Sequence, residues 1–201
     1  MSNVWITCPE IATYINNTYR KPARLFVTGG KEMLSQEGTT QGDPLAMAWY
    51  SLTTTTLIEH LHIKVESVSQ VWLADDAAGA GKIKQLKKWF TALSSAGKLF
   101  GYFVNGSKSW LICKSEEVAK RAKEEFGDNV NITTEGKRHL GAVLGSENYK
   151  DEFCKEKVDE WRGQLENLAE IAETQPQAAH AVYTKGYRSK FTYFLRTIQD
   201  F

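Results

Sequence analysis

The chain reads as an α+β fold, and three observations predict it. Over residues 1–146, short apolar runs bounded by glycine-containing turns alternate with stretches of helical periodicity. From about Asp151 only helical periodicity remains, which sets a soft boundary near 147 and predicts a helical appendage over 147–201. At 201 residues the chain is long enough for one domain, or for a domain and a smaller appendage, and 42% hydrophobic and 24% charged residues are those of an ordinary globular protein.

Pro9 opens the first predicted helix, with Ile11, Tyr14, Ile15 and Tyr19 on one face, and Lys21-Pro22 ends it. Ala23 to Val27 reads as a strand, Thr28-Gly29-Gly30 as a turn, and Glu32 to Ser35 as the return strand. After the polar loop Gln36 to Gly42, Asp43 is expected as an N-cap and Pro44 as the first helical residue. Leu45, Ala48, Trp49, Leu52 and Thr56 carry that helix forward, and Leu57, Ile58 and Leu61 close it.

Val68 to Ala74 and Ala77 to Gly81 predict a hairpin with Asp75 and Asp76 at its tip. Ile83, Leu86, Trp89, Phe90 and Leu93 mark an amphipathic helix that stops near Gly97. A second hairpin is expected from Tyr102–Val104 and Ser109–Cys113 around Asn105-Gly106, a favoured tight turn. Ser115 caps a helix with Val118, Ala122 and Phe126; Ile132–Thr134 and Leu140–Leu144 read as strands. Val158, Trp161, Leu165, Leu168 and Ala172 form a helical seam broken by Pro176. The last helix sets Lys185, Arg188, Lys190 and Arg196 among Tyr183, Tyr187, Phe191, Tyr193 and Phe194.

A net charge of +1 makes no overall case for nucleic acid, so any basic surface must be local. Cys8, Cys113 and Cys154 lie far apart with no Cys-x-x-Cys spacing, which suggests reduced thiols in an intracellular protein. His60 and His62, beside Glu59, are a poor metal pattern, and no apolar run approaches a membrane span. The abrupt ends, at Met1 and after an apolar, basic segment at Phe201, look like those of a piece cut from something longer.

The chemistry-bearing features are two. Asp75 and Asp76 follow Trp72-Leu73-Ala74, and adjacent carboxylates on a stiff support can hold Mg²⁺ together with waters and substrate phosphates. An isolated pair of this kind is most often a solvated turn. Upstream, Gln41-Gly42-Asp43-Pro44 supplies a glycine corner followed by a helix start.

Taken together these residues resemble the reverse transcriptase domain of retroelements, most closely the non-LTR, LINE-like type. Glu37-Gly38-Thr39-Thr40-Gln41-Gly42-Asp43-Pro44-Leu45 is similar to the family's second palm motif, and Leu73-Ala74-Asp75-Asp76 to its third, the Y-x-D-D box. Gly101 to Asn105 with Lys108 and Ser109 is similar to the fourth, His139-Leu140-Gly141 to the primer grip, and the helices after 151 to a partial thumb. The resemblance implies a polymerase palm, an antiparallel sheet backed by helices, over 1–146 with most of the fingers absent.

The resemblance also implies roles and partners. Asp75 and Asp76 would hold Mg²⁺ (or Mn²⁺) for nucleotidyl transfer to a primer 3′-hydroxyl, and Lys108 would contact the triphosphate or protonate pyrophosphate. Gln41 and Gly42 would touch the incoming nucleotide; His139, Leu140 and Gly141 would position the primer backbone. Lys185 and Arg188 would track phosphates of the primer–template. The implied partners are an RNA template, a DNA primer, deoxynucleoside triphosphates and the rest of a longer retroelement polyprotein, with no membrane.

Two departures stand beside this. Leu73 occupies the place of an aromatic residue, which is a packing change. The first palm motif, a strand ending in a metal-bridging aspartate, is expected before the helix at Pro9, yet residues 1–8 contain no Asp or Glu, and Asp128 and Asp151 sit in turn-like contexts. The isolated chain is therefore expected to be inactive. The alternatives are a catalytically dead nucleic-acid-binding descendant and a remnant without function. A viral RNA-dependent RNA polymerase fits less well, because Ala74 stands where that group carries glycine.

Overall fold

The computed structural model describes residues 2–36, 38–40 and 42–198, with backbone alone at Ser2 and Asn3. The fold mixes helices with small sheets and divides into two compact units at Val104–Asn105. The described strands pair as four separate two-stranded ribbons, three antiparallel and one parallel, and not as one continuous antiparallel sheet.

In the first unit, α1 (Ser2–Thr7) precedes α2 (Pro9–Tyr19), so the segment before Pro9 is helical. Strands β1 (Ala23–Val27) and β2 (Lys31–Ser35) pair antiparallel around Thr28-Gly29-Gly30, as predicted. Val4, Ala12, Ile15 and Trp49 form one core cluster, with Ile11, Tyr19 and Leu52 against it. Helix α3 (Ala46–Lys64) packs on α4 (Ile83–Ala96), and between them the chain forms β3 (Ser69–Leu73) and β4 (Asp76–Ala80). Leu57, Leu61, Leu86, Trp89 and Leu93 are buried, a helical spacing on both helices that the sequence displays.

The second unit begins with a short β-α-β element. Strand β5 (Trp110–Ile112), helix α5 (Glu116–Phe126) and β6 (Asn131–Thr133) follow in order, with β5 and β6 parallel. Ser115 Oγ accepts from the Val118 amide, the cap expected of it. Strands β7 (Gly136–His139) and β8 (Ala142–Gly145) form an antiparallel ribbon. From Glu147 onward the described chain is helical: α6 (Glu147–Thr174), α7 (Pro176–Val182), a π-turn at Tyr183–Tyr187 and α8 (Arg188–Thr197). Phe153, Cys154, Trp161, Phe194 and Ile198 form their core.

Four expectations are corrected. The hairpin over 102–113 does not form: Asn105 Oδ1 accepts from Ser107 Oγ and the Lys108 amide, which closes a 3-10 turn, and β5 finds its partner across α5 instead. Leu140 and Gly141 are a turn and not the start of a strand, because the polar run Lys137-Arg138-His139 forms the first arm of that ribbon. Helix α3 starts at Ala46, since Asp43 Oδ1 accepts from the Leu45 amide and closes a tight turn first. Val158, assigned to the apolar seam, is exposed.

Candidate carboxylate site on the first-unit hairpin

Leu73 pairs with Asp76 across β3 and β4, so the connecting loop is the two residues Ala74 and Asp75. The carboxylates thus occupy different positions: Asp75 is in the loop and Asp76 is the first residue of a strand. Both are exposed, and neither carboxylate has an ion pair or hydrogen bond among the described residues. Ala74 has φ 54°, in the left-handed region, which costs an L-residue about 1–2 kcal/mol. A two-residue hairpin loop commonly demands that geometry, and glycine or asparagine would meet it with less strain.

What holds this loop is a chain of side-chain contacts. Gln70 Nε2 donates to the Ile58 carbonyl at 3.1 Å, tying β3 to α3. Gln70 Oε1 accepts from Trp72 Nε1 and from Trp89 Nε1, each at 3.1 Å, tying the same strand to α4. Gly79 lies under Trp89, where an added Cβ would approach the indole to 3.3 Å. Val71 and Leu73 point to the opposite, exposed face.

Tyr102 completes the support. Its hydroxyl donates to the Asp75 carbonyl at 2.8 Å, and its ring meets Trp72 edge-on with centroids 5.3 Å apart. The backbone places it: α4 passes into a 3-10 turn at Gly97–Phe100, Gly101 takes φ 72°, and the Tyr102 amide returns to the Gly97 carbonyl. Burial raises the Tyr102 pKa to about 12, with Tyr50, Asp76 and Asp75 adding to the rise. Tyr50, on α3, is likewise raised, by burial first and then by the Asp75 charge. Both phenols therefore remain proton donors at neutral pH.

The donor set fits a hard cation. Mg²⁺ takes one or two carboxylates and keeps waters and phosphate oxygens for its other positions, which two exposed, unpaired carboxylates permit. Among the described residues no group of three or more His, Cys, Asp or Glu side chains gathers around one point. Asp75 and Asp76 suit one such ion, and a third carboxylate would have to come from elsewhere to bridge two.

Gln41 lies outside the described residues. Gly42 has φ 95°, a conformation that favours glycine, and opens the turn into α3. Beside it Asp43 accepts a hydrogen bond from the Tyr19 hydroxyl, which, with the Leu45 amide, holds the Asp43 carboxyl below its ordinary range. Tyr19 and Asp43 line a cavity of about 220 Å³ with Lys21, Ser35 and Thr40 among its walls. Lys108 belongs to the second unit, exposed at the end of the 3-10 turn.

His139 ends β7, and Leu140 and Gly141 make the two-residue loop to β8. Leu140 has φ 51°, and its carbonyl accepts from the Tyr193 hydroxyl. Lys185 lies in the π-turn and Arg188 begins α8, both exposed, while Lys190 sits over the Tyr187 ring at 5.0 Å. Sequence reasoning missed Gln70, Tyr102 and Tyr193 as supports. The glycines at 97 and 101, both just before Tyr102, were the available signal for one of them.

Among the described residues no helix is long and apolar enough to cross a membrane. No family model matches the chain, and no curated protein and no solved structure matches it.

Proposed function

We propose that the chain is part of an RNA-directed DNA polymerase of the non-LTR retroelement type, and that residues 1–201 alone do not extend a primer. The observation that carries the reading is the Ala74–Asp75 loop: two adjacent, exposed carboxylates on a hairpin tied to two helices and a tyrosine. Asp75 is the cation ligand, and Asp76 a second ligand or electrostatic partner. Bound Mg²⁺ would activate the primer hydroxyl and offset charge on the leaving pyrophosphate. The motif resemblance gives Gln41 and Gly42 a role in contacting the nucleotide, Lys108 a role toward its phosphates, and His139, Leu140 and Gly141 a role toward the primer. The polymerase palm assignment rests on these motifs and this hairpin, not on a continuous sheet.

A second reading, a nucleic-acid-binding module without catalysis, is favoured by the exposed Lys185 and Arg188 beside the Lys190–Tyr187 contact. Both readings require phosphate binding that weakens with salt. The test is primer extension on an oligo(dT)-primed RNA template with Mg²⁺ and then Mn²⁺, alongside binding of the same primer–template by fluorescence anisotropy. We expect salt-sensitive binding, reduced in Lys185→Ala/Arg188→Ala, and no extension. Extension abolished by Asp75→Ala/Asp76→Ala would establish the polymerase and refute the claim of inactivity. Absence of both binding and extension would overturn the two readings together.

A further inference from the structure

We propose that Tyr102 is a positioning residue for the Asp75–Asp76 pair, fixing the peptide that joins the two carboxylate-bearing residues. The proposal rests on the reading of that pair as a divalent-cation site. The Tyr102 hydroxyl donates at 2.8 Å to the carbonyl of Asp75, and that carbonyl belongs to the Asp75–Asp76 peptide. A change in ψ of Asp75 or φ of Asp76 alone turns one of the two Cα–Cβ bonds against the other, and anchoring this carbonyl restrains both angles. Ala74 holds a strained φ of 54° at the first loop position, and the phenol bond anchors the carbonyl of the residue that follows it.

The phenol suits this role because both ends of the contact are fixed. Its ring is held edge-on against Trp72, whose indole is bound in turn to Gln70. Its backbone is held by the Gly97 carbonyl, and Gly97 has no room for a side chain: an added Cβ would lie 2.7 Å from the Tyr102 carbonyl oxygen. A cation ligand pair is useful only if its oxygens converge without reorganisation, and the support for such a pair normally comes from groups that hydrogen-bond the ligands or their backbone. Tyr50, the neighbouring phenol, shows no such bond to the loop, so it provides the matched control.

The experiment compares Mn²⁺ affinity, read as free Mn²⁺ by electron paramagnetic resonance, for the wild-type chain and for Tyr102→Phe, Tyr50→Phe and Asp75→Ala/Asp76→Ala. Near-ultraviolet circular dichroism checks that the Trp72 environment survives in Tyr102→Phe, which keeps the ring. Amide exchange at Asp76 and Ala77 reads the loop directly. We expect binding about three- to tenfold weaker in Tyr102→Phe, the scale of one hydrogen bond, with faster exchange at those amides and little change in Tyr50→Phe. Wild-type affinity in Tyr102→Phe, with binding lost in the double aspartate variant, would overturn the positioning role alone. Equal weakening in both tyrosine variants would also overturn it. Absence of Mn²⁺ binding by the wild type would overturn the reading of the pair, and this proposal with it.

Discussion

The hydroxyl of Tyr193 donates to the carbonyl oxygen of Leu140. Leu140 and Ala74 are the described non-glycine residues with positive φ, and both lie first in a two-residue hairpin loop. In each unit, then, a tyrosine from a later element bonds the backbone of the strained loop. Replacing Tyr193 with Phe removes the bond and keeps the ring packed near Gly141. We expect a loss of about 1 kcal/mol in urea-induced unfolding, and faster amide exchange confined to the β7–β8 loop. Unchanged exchange at that loop would show that the bond does not restrain it.

Ala74 lets the loop strain be tested in the first unit. A β-branched residue tolerates the left-handed region poorly, so Ala74→Val should lose about 1–2 kcal/mol of stability. Ala74→Gly should be nearly neutral, because relief of strain is offset by the greater freedom of glycine in the unfolded chain. Equal stability of the two variants would mean that the loop does not adopt this geometry in solution.

Gln70 is the polar joint of the hairpin. Gln70→Leu would strand the indole N–H of buried Trp89 and that of Trp72 together, at roughly 2 kcal/mol in denaturant unfolding. An unaffected midpoint would show that water replaces the amide at both indoles.

The Tyr19–Asp43 bond has a defined pH signature. The folded Asp43 carboxyl is held below its ordinary value, first by the Tyr19 hydrogen bond and then by the Leu45 amide. Its contribution is therefore complete above the unfolded pKa of about 3.9 and is lost as pH falls through the folded value. Tyr19 is raised, by burial first and then by Asp43, so its contribution holds below about pH 10 and fades above it. The difference in urea midpoint between wild type and Asp43→Asn should stay constant from about pH 5 to 9 and shrink below about pH 4. A difference that persists unchanged to pH 3 would contradict this assignment.

Elements with strong local signals were legible in the sequence. Pro9, Ser115 and Pro176 mark helix boundaries where the structure has them, and Ala23–Val27 is a strand. The 102–113 region misled because Asn105-Gly106 carries the same residues for a hairpin turn as for the side-chain-closed 3-10 turn it forms. The parallel β5–β6 pairing depends on α5 crossing over between them, which no short window displays. At the site, the carboxylates were visible from the sequence, but their division between loop and strand follows from the Leu73–Asp76 register. The Tyr102 support spans 27 positions, a separation at which periodicity gives no information.

Whether Asp75 and Asp76 hold a divalent cation, as proposed, is read from Mn²⁺-induced line broadening in the amide NMR spectrum. We expect broadening at substoichiometric Mn²⁺ centred on residues 73–77, reversed by excess Mg²⁺ and absent in Asp75→Ala/Asp76→Ala. Broadening centred elsewhere, or the same pattern in the double variant, would contradict it.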